Sequence, residues 1–148
     1  MAFPLDPGAV THGIQLAVAP VFLLTAVSGM IGAVAGRLGR IIDRARLVED
    51  RARVSDDTDF LDRAELELRE LRARGRLVNA CIALLTTCAL LIGLTIILLF
   101  LGETTAVQID KYAVACFLLG VVSFLLALLC FLAETVIATR LLNFHIRR

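Results

Sequence analysis

Tryptophan is absent from this 148-residue chain, tyrosine occurs once and histidine twice. Lysine occurs only as Lys111, so 14 of the 15 basic residues are arginine. The net charge of +1 lacks the basic surplus by which nucleic-acid binders hold a phosphate backbone, and no nucleic-acid partner is expected. Cys81, Cys88, Cys116 and Cys130 all fall in apolar runs without C-x-x-C spacing. They read as small hydrophobes rather than as a disulfide framework. His12 and His145 are isolated and terminal, so no metal site is expected. The chain has no phosphate-binding loop, no G-x-G-x-x-G, no H-E-x-x-H and no nucleophile elbow. A non-enzyme is expected, with no catalytic residue and no cofactor. The first twelve residues hold Asp6 and no basic side chain, whereas a secretory signal needs a positive start. The first apolar run therefore reads as a retained anchor.

What the chain has in excess is apolar mass. Its hydrophobic fraction of 59% and mean hydropathy of +0.86 exceed those of soluble domains, which run to about 45–50% apolar. The excess lies in three runs, at about 13–36, 77–101 and 112–137. Each is long enough to cross a bilayer as a helix, since the first rises about 36 Å. The expected fold is all-α: one membrane domain over 1–148 with three transmembrane helices. Pro4, Pro7 and Gly8 disfavour regular structure in residues 1–12, Pro20 predicts a kink in the first span, and 102–111 reads as a short polar turn.

Charge is concentrated in one place. Residues 37–76 hold eleven Arg and ten Asp or Glu, leaving four basic and four acidic residues elsewhere. Arg37, Arg40, Arg44 and Arg46 follow the first run, Arg69, Arg72, Arg74 and Arg76 precede the second, and Arg140, Arg147 and Arg148 follow the third. With three spans all these flanks fall on one side, and the positive-inside rule makes that side cytoplasmic. The N-terminus is then outside and the C-terminus inside.

Segment 37–76 contains no Pro. Leu38, Ile41, Ala45, Val48 and Ala52 recur at spacings of three and four. So do Leu61, Ala64, Leu68 and Leu71, continuing through Gly75 to Val78 and Ile82. These are seams of the coiled-coil type. Glu67 is expected on a more exposed position than Leu68. Ser55-Asp56-Asp57-Thr58 offers residues that cap a helix start. The first two membrane helices are thus expected to extend into a cytoplasmic antiparallel helical hairpin that turns near Ser55–Thr58. Asp59–Arg63, Glu65–Arg69, Glu70–Arg74 and Glu49–Arg53 are candidate i,i+4 ion pairs on its faces.

Three groups of residues are candidates for function. Ser28, Gly32 and Gly36, with Gly29 beside them, form a small-residue stripe, and such stripes let membrane helices approach closely within or between subunits. Thr86, Thr87 and Glu134 are a candidate intramembrane polar path. The bland alternatives are hydroxyls bonded to their own helix and a structural ion pair of Glu134 with Arg140, Arg37 or Arg76. Arg37, Arg40 and Arg44 share a helical face just inside the membrane, suited to anionic lipids of the inner leaflet, to a partner helix or to simple anchoring.

The stretch Ile14-Gln15-Leu16-Ala17-Val18-Ala19-Pro20-Val21-Phe22-Leu23-Leu24 is followed by Arg37-Leu38-Gly39-Arg40-Ile41-Ile42-Asp43-Arg44-Ala45-Arg46. Together they resemble DUF2721, a bacterial membrane-protein family of unknown function. The R-L-x-R-I-x-D-R-A-R run is its most specific part, and the resemblance covers most of the chain. It implies a bacterial inner-membrane location and that Gln15, Pro20, Arg37, Arg40, Asp43 and Arg44 belong to a family pattern. It carries no activity. The leading expectation is an oligomeric scaffold or accessory subunit of a membrane complex. The alternative is a channel or ion-motive subunit, similar in layout to stator-type proteins. The expected partners are the bilayer with its anionic lipids and further copies or subunits.

Overall fold

A computed structural model describes the backbone of residues 7–104 and 110–145, and the side chains of residue 15 and of residues 17–102 and 111–139. The expectations for His12, His145, Arg140, Arg147, Arg148 and most of the 102–111 turn lie outside these side chains. The described chain is three helices: α1 (Pro7–Val54), α2 (Thr58–Thr104) and α3 (Asp110–His145). All three are long and apolar enough to cross a membrane, within Ala17–Val54, Thr58–Gly102 and Lys111–Thr139.

α1 starts earlier than the sequence reading allowed, at Pro7. Proline costs nothing at a first helical position, because its missing N–H would be unpaired there and its φ already suits a helix. The helix continues through Pro20 and past Gly36 to Val54 without interruption, since nothing in 37–54 removes a backbone donor. Only residues 55–57 separate it from α2. Asp57 caps α2. Its carboxylate accepts the Asp59 N–H at 3.0 Å and its carbonyl accepts the Leu61 N–H at 3.0 Å, while its own N–H donates to Ser55 Oγ at 3.3 Å.

The chain gathers into two compact units, one drawn from Met1–Ile31 and Leu84–Leu125, the other from Gly32–Ala83 and Leu126–Arg148. In the first, Ala17, Pro20 and Val27 of α1 are buried, as are Leu85, Cys88, Ile92 and Thr95 of α2 and Ala113, Gly120 and Ser123 of α3. The α3 contribution is small residues, which lets its backbone come close to α2. Ser123 Oγ donates to the Leu84 carbonyl of α2 at 2.8 Å. Thr95 and Thr25 instead bond carbonyls four residues back on their own helices, Leu91 and Val21.

In the second unit the buried positions recur every seven residues. They are Val34, Ile41 and Val48 on α1, Ala64, Leu71 and Val78 on α2, and Ala127 and Glu134 on α3. The seams read from the sequence supply most of these, but Leu61 is exposed, and Glu67 is only half-buried because it pairs with Arg44. Where water surrounds the helices, each large apolar side chain fully buried here contributes about 1.5–3 kcal/mol. Cys81 is buried and its thiol donates to the Ala127 carbonyl of α3 at 3.3 Å.

The surface pairs differ from the i,i+4 expectation. Arg69 does pair with Glu65, at 2.7 Å. Arg63 donates instead to the backbone carbonyl of Asp59, Glu49 reaches across to Arg72 at 3.7 Å, and Arg74 turns away to Glu134. Exposed i,i+4 pairs are worth only about 0.2–0.5 kcal/mol, so a backbone acceptor or a buried carboxylate outcompetes them.

Candidate functional site

In the second unit each helix contributes one charged residue to a single cluster. Arg37 follows Val34 by three and precedes Ile41 by four, and Arg74 stands in the same relation to Leu71 and Val78. Those spacings keep both arginines on the buried faces of their helices. Glu134 follows Ala127 by seven and takes the same inward position on α3. The Glu134 side chain is 1% exposed, against 26% for Arg37 and 23% for Arg74.

The geometry ties the three helices together. Arg74 donates to Glu134 Oε1 twice, from Nη2 at 2.9 Å and from Nε at 3.3 Å. Arg37 Nη2 approaches Oε2 to 2.5 Å. That approach is a contact of charges without hydrogen-bond alignment, so Oε2 has no hydrogen-bond donor among the described residues. The Arg37 guanidinium also sits over the Phe131 ring, 5.0 Å from its centroid, a cation–π contact.

Beside this cluster is a recess of about 230 Å³ lined by Arg37, Arg40, Ile41, Arg44, Leu71, Arg74 and Glu134. Arg44 is braced from the side by Glu67, Nε to Oε1 at 2.7 Å. Arg40 is exposed and has no acidic partner among the described residues. The basic face read from the sequence, Arg37, Arg40 and Arg44, is therefore brought together with Glu134, and Arg74 joins it from α2. Arg76, named as a partner for Glu134, is exposed and outside the cluster. Arg74 was missed because its acidic neighbour Glu70 offered a local partner. The signal that could have found it is its place between Leu71 and Val78 on the buried face.

The other candidates lie elsewhere. Thr86 and Thr87 are exposed in the first unit. Ser28 and Gly29 are exposed in the first unit, and Gly32 and Gly36 in the second. A Cβ built at Gly29, Gly32 or Gly36 meets nothing within 4 Å. The first unit also has an apolar recess of about 240 Å³ beside Pro20, Thr95 and Phe117. Its one hydroxyl, Thr95, is already bonded to Leu91.

A family model described as "Protein of unknown function (DUF2721)" matches residues 17–144. The chain belongs to the DUF2721 family. The region matched in this DUF2721 protein takes in all of the cluster and the recess, and leaves Gln15 just outside. Comparisons with curated proteins and with solved structures match nothing.

Proposed function

We propose that this DUF2721 protein is a non-enzymatic scaffold or accessory subunit of the bacterial inner membrane that assembles from copies of itself. In this reading the N-terminus is outside and the C-terminus is in the cytoplasm. The ends of α1 and α2 form the antiparallel cytoplasmic hairpin of residues 37–76, and the Arg37, Arg40 and Arg44 face meets the anionic inner leaflet. The observation that carries the proposal is the outward position of Gly29, Gly32 and Gly36, where a Cβ would meet no other part of the described residues within 4 Å beyond the glycine's own stretch of helix. The large outward apolar residues along the middle of α3 are Leu and Val, including Leu118, Val122, Leu125 and Leu129. Such residues suit lipid tails. An open glycine face suits another backbone, because close approach gains dispersion contacts that mobile tails do not give.

Replacing Gly32 by Leu tests this directly. Light scattering of the detergent-solubilised protein should shift toward the monomer, with helicity and yield unchanged. An unaltered oligomer would remove the proposal. The topology has its own check: a cysteine at Ser55 should be labelled from the cytoplasmic side only.

A channel or ion-motive subunit is the second reading, favoured by the outward hydroxyl-bearing residues Thr86 and Thr87. In a ring of subunits they would face the axis. Glu134 does not support it, because two guanidiniums already hold that carboxylate. Ion flux into proteoliposomes that falls on Thr86→Val would decide for the channel.

A further inference from the structure

Guanidinium charge in the recess of the second unit exceeds what its neighbours compensate. Arg37, Arg40, Arg44 and Arg74 all line it, and Glu134 is the one carboxylate in the lining. Glu67 holds Arg44 from outside that lining. Setting both carboxylates against the four arginines leaves a net charge of two positive, and Arg40 is the one of the four without an acidic partner among the described residues. Hydrogen-bonding capacity is in still greater excess. Each guanidinium offers five N–H donors and no acceptor. Among the described residues, the hydrogen bonds made by these four side chains are those of Arg74 Nε and Nη2 and of Arg44 Nε, with the Arg37 Nη2 charge contact beside them.

Like charges gathered this closely repel unless something holds them. Glu134 holds Arg37 and Arg74, Glu67 holds Arg44, and the Phe131 ring lies against the Arg37 guanidinium. Three of the four arginines are thus positioned before any ligand arrives, which lowers the ordering cost of binding, and Arg40 is left for the ligand to order. The remaining donors point to an acceptor-only anion of several oxygens. Arginine's planar fork matches the phosphate group in particular, with paired N–H···O contacts. The recess, about 230 Å³, exceeds severalfold a water's share of about 30 Å³, so a phosphate with its ester substituent has room.

We propose that this recess is a phosphate-binding site, with Arg40 and Arg44 meeting the ligand from α1, Arg74 from α2, and Glu134 as the positioning residue for Arg37 and Arg74. The site stands on the second unit alone and does not depend on self-assembly. The sequence supplies the depth: Arg37 is the first charge after the apolar run of α1, and Glu134 is near the end of the apolar run of α3. That level is where lipid phosphates lie, so the source is either the headgroup of an anionic phospholipid or a soluble phosphate compound. The orientation proposed above bears only on which leaflet or compartment supplies it.

The test uses the full chain in two arms. In the first, protein purified in phosphate-free detergent is titrated with inorganic phosphate against chloride at matched ionic strength, and melting and heat of binding are read. In the second, protein is reconstituted in phosphatidylcholine vesicles with or without phosphatidylglycerol, re-extracted, and its retained lipid identified by native mass spectrometry. Arg40→Ala removes an exposed arginine with no acidic partner among the described residues, so the fold is spared. It should weaken phosphate or phosphatidylglycerol retention by at least about tenfold, the effect of one charged hydrogen-bonding group. Arg46→Ala changes the same charge on the same helix outside the recess and should leave retention within about twofold, as expected of an exposed charge. Binding in the first arm alone supports the site with a soluble ligand, and retention in the second alone with a lipid. No binding or retention in either arm, or equal loss in Arg40→Ala and Arg46→Ala, overturns it. Light scattering of Arg40→Ala should be unchanged, which separates failure of this site from failure of the assembly proposal.

Discussion

Gly120 of α3 faces Ile92 of α2 so closely that a Cβ built on the glycine would lie 3.0 Å from Ile92 Cδ1 and 3.4 Å from Cγ1, with Leu91 Cβ at 3.5 Å. Ile92 is fully buried, so its side chain has few places to go. The close approach brings Ser123 within reach of the Leu84 carbonyl a turn further on. Sequence and packing meet here: one residue without a side chain sets the α2–α3 distance in the first unit, and a hydroxyl exploits it.

Enlarging Gly120 should therefore destabilise the protein in proportion to size. Alanine asks only that the end of the Ile92 side chain shift by a few tenths of an ångström, and should cost less than about 1 kcal/mol. Leucine overpacks the contact and should cost about 1–3 kcal/mol. Gly93→Ala is the control, since a Cβ there meets nothing within 4 Å. Thermal denaturation followed by a thiol-reactive dye reads the order directly, because Cys81 and Cys88 are buried until the helices part. Equal melting of Gly120→Leu and Gly93→Ala would show that the contact is not limiting.

The cluster of Glu134 with Arg37 and Arg74 makes a second, signed prediction. Glu134→Ala strands two guanidiniums facing each other without their shared carboxylate. Breaking a buried pair costs about 3–5 kcal/mol, and the low end applies because each arginine keeps about a quarter of its side chain exposed. Replacing all three residues together by Leu and Met removes charge and counter-charge at once. That variant should melt at or above the wild-type temperature, as apolar replacement of buried ion clusters is often neutral or stabilising by about 1–4 kcal/mol. A triple variant less stable than Glu134→Ala alone would contradict this account.

Period and charge made the helices legible in the sequence, while the partners of individual side chains were harder to read. The three apolar runs and the seven-residue recurrence of Ile41 and Val48, and of Ala64, Leu71 and Val78, follow from composition and spacing alone. Arg37, Arg40 and Arg44 were legible as one face for the same reason. Arg74 was not, because a local i,i+4 partner masked a contact sixty residues away. Pro7 was read as a breaker, although proline's effect depends on its position in the helix. Ser123 bonds the Leu84 carbonyl of α2 and not its own helix, a choice set by the packing distance at Gly120 and invisible in the sequence.

The arms beyond the apolar runs give a third prediction. Val48 is 5% exposed, so an aspartate there loses its burial and places a charge among apolar neighbours, at a cost of about 3 kcal/mol or more. Leu66→Asp changes a side chain that is 62% exposed and should cost little. Glu67, which the sequence suggested as a neutral position, is unsuitable as a control because it braces Arg44. Trypsin reports the difference, since Arg51, Arg53 and Arg63 flank the connection between α1 and α2. Val48→Asp should be cut there faster than wild type, and Leu66→Asp at the wild-type rate. Equal rates in both variants would mean that the arms do not protect each other.

The last prediction contrasts the two kinds of outward helix face. In a background with Cys81, Cys88, Cys116 and Cys130 replaced by alanine, a cysteine at Gly32 should form an intermolecular disulfide on mild oxidation in native membranes. A cysteine at Leu129 should not. A Cβ at Gly32 would meet nothing within 4 Å among the described residues beyond its own stretch of helix, so a second α1 can come close enough for two sulfurs to bond. Disulfides require Cα atoms about 4.4–6.8 Å apart, a separation reached only where backbones nearly touch. Leu129 is also exposed, but it is surrounded on its face by Leu125, Leu126 and Leu132, whose bulk holds any neighbouring backbone away. Random collision in a crowded membrane would cross-link both positions alike, so the ratio between them is the quantity to read. A strong Gly32 product with none at Leu129 supports assembly through α1. Equal products indicate collision, and a Leu129 product alone would move the interface to α3.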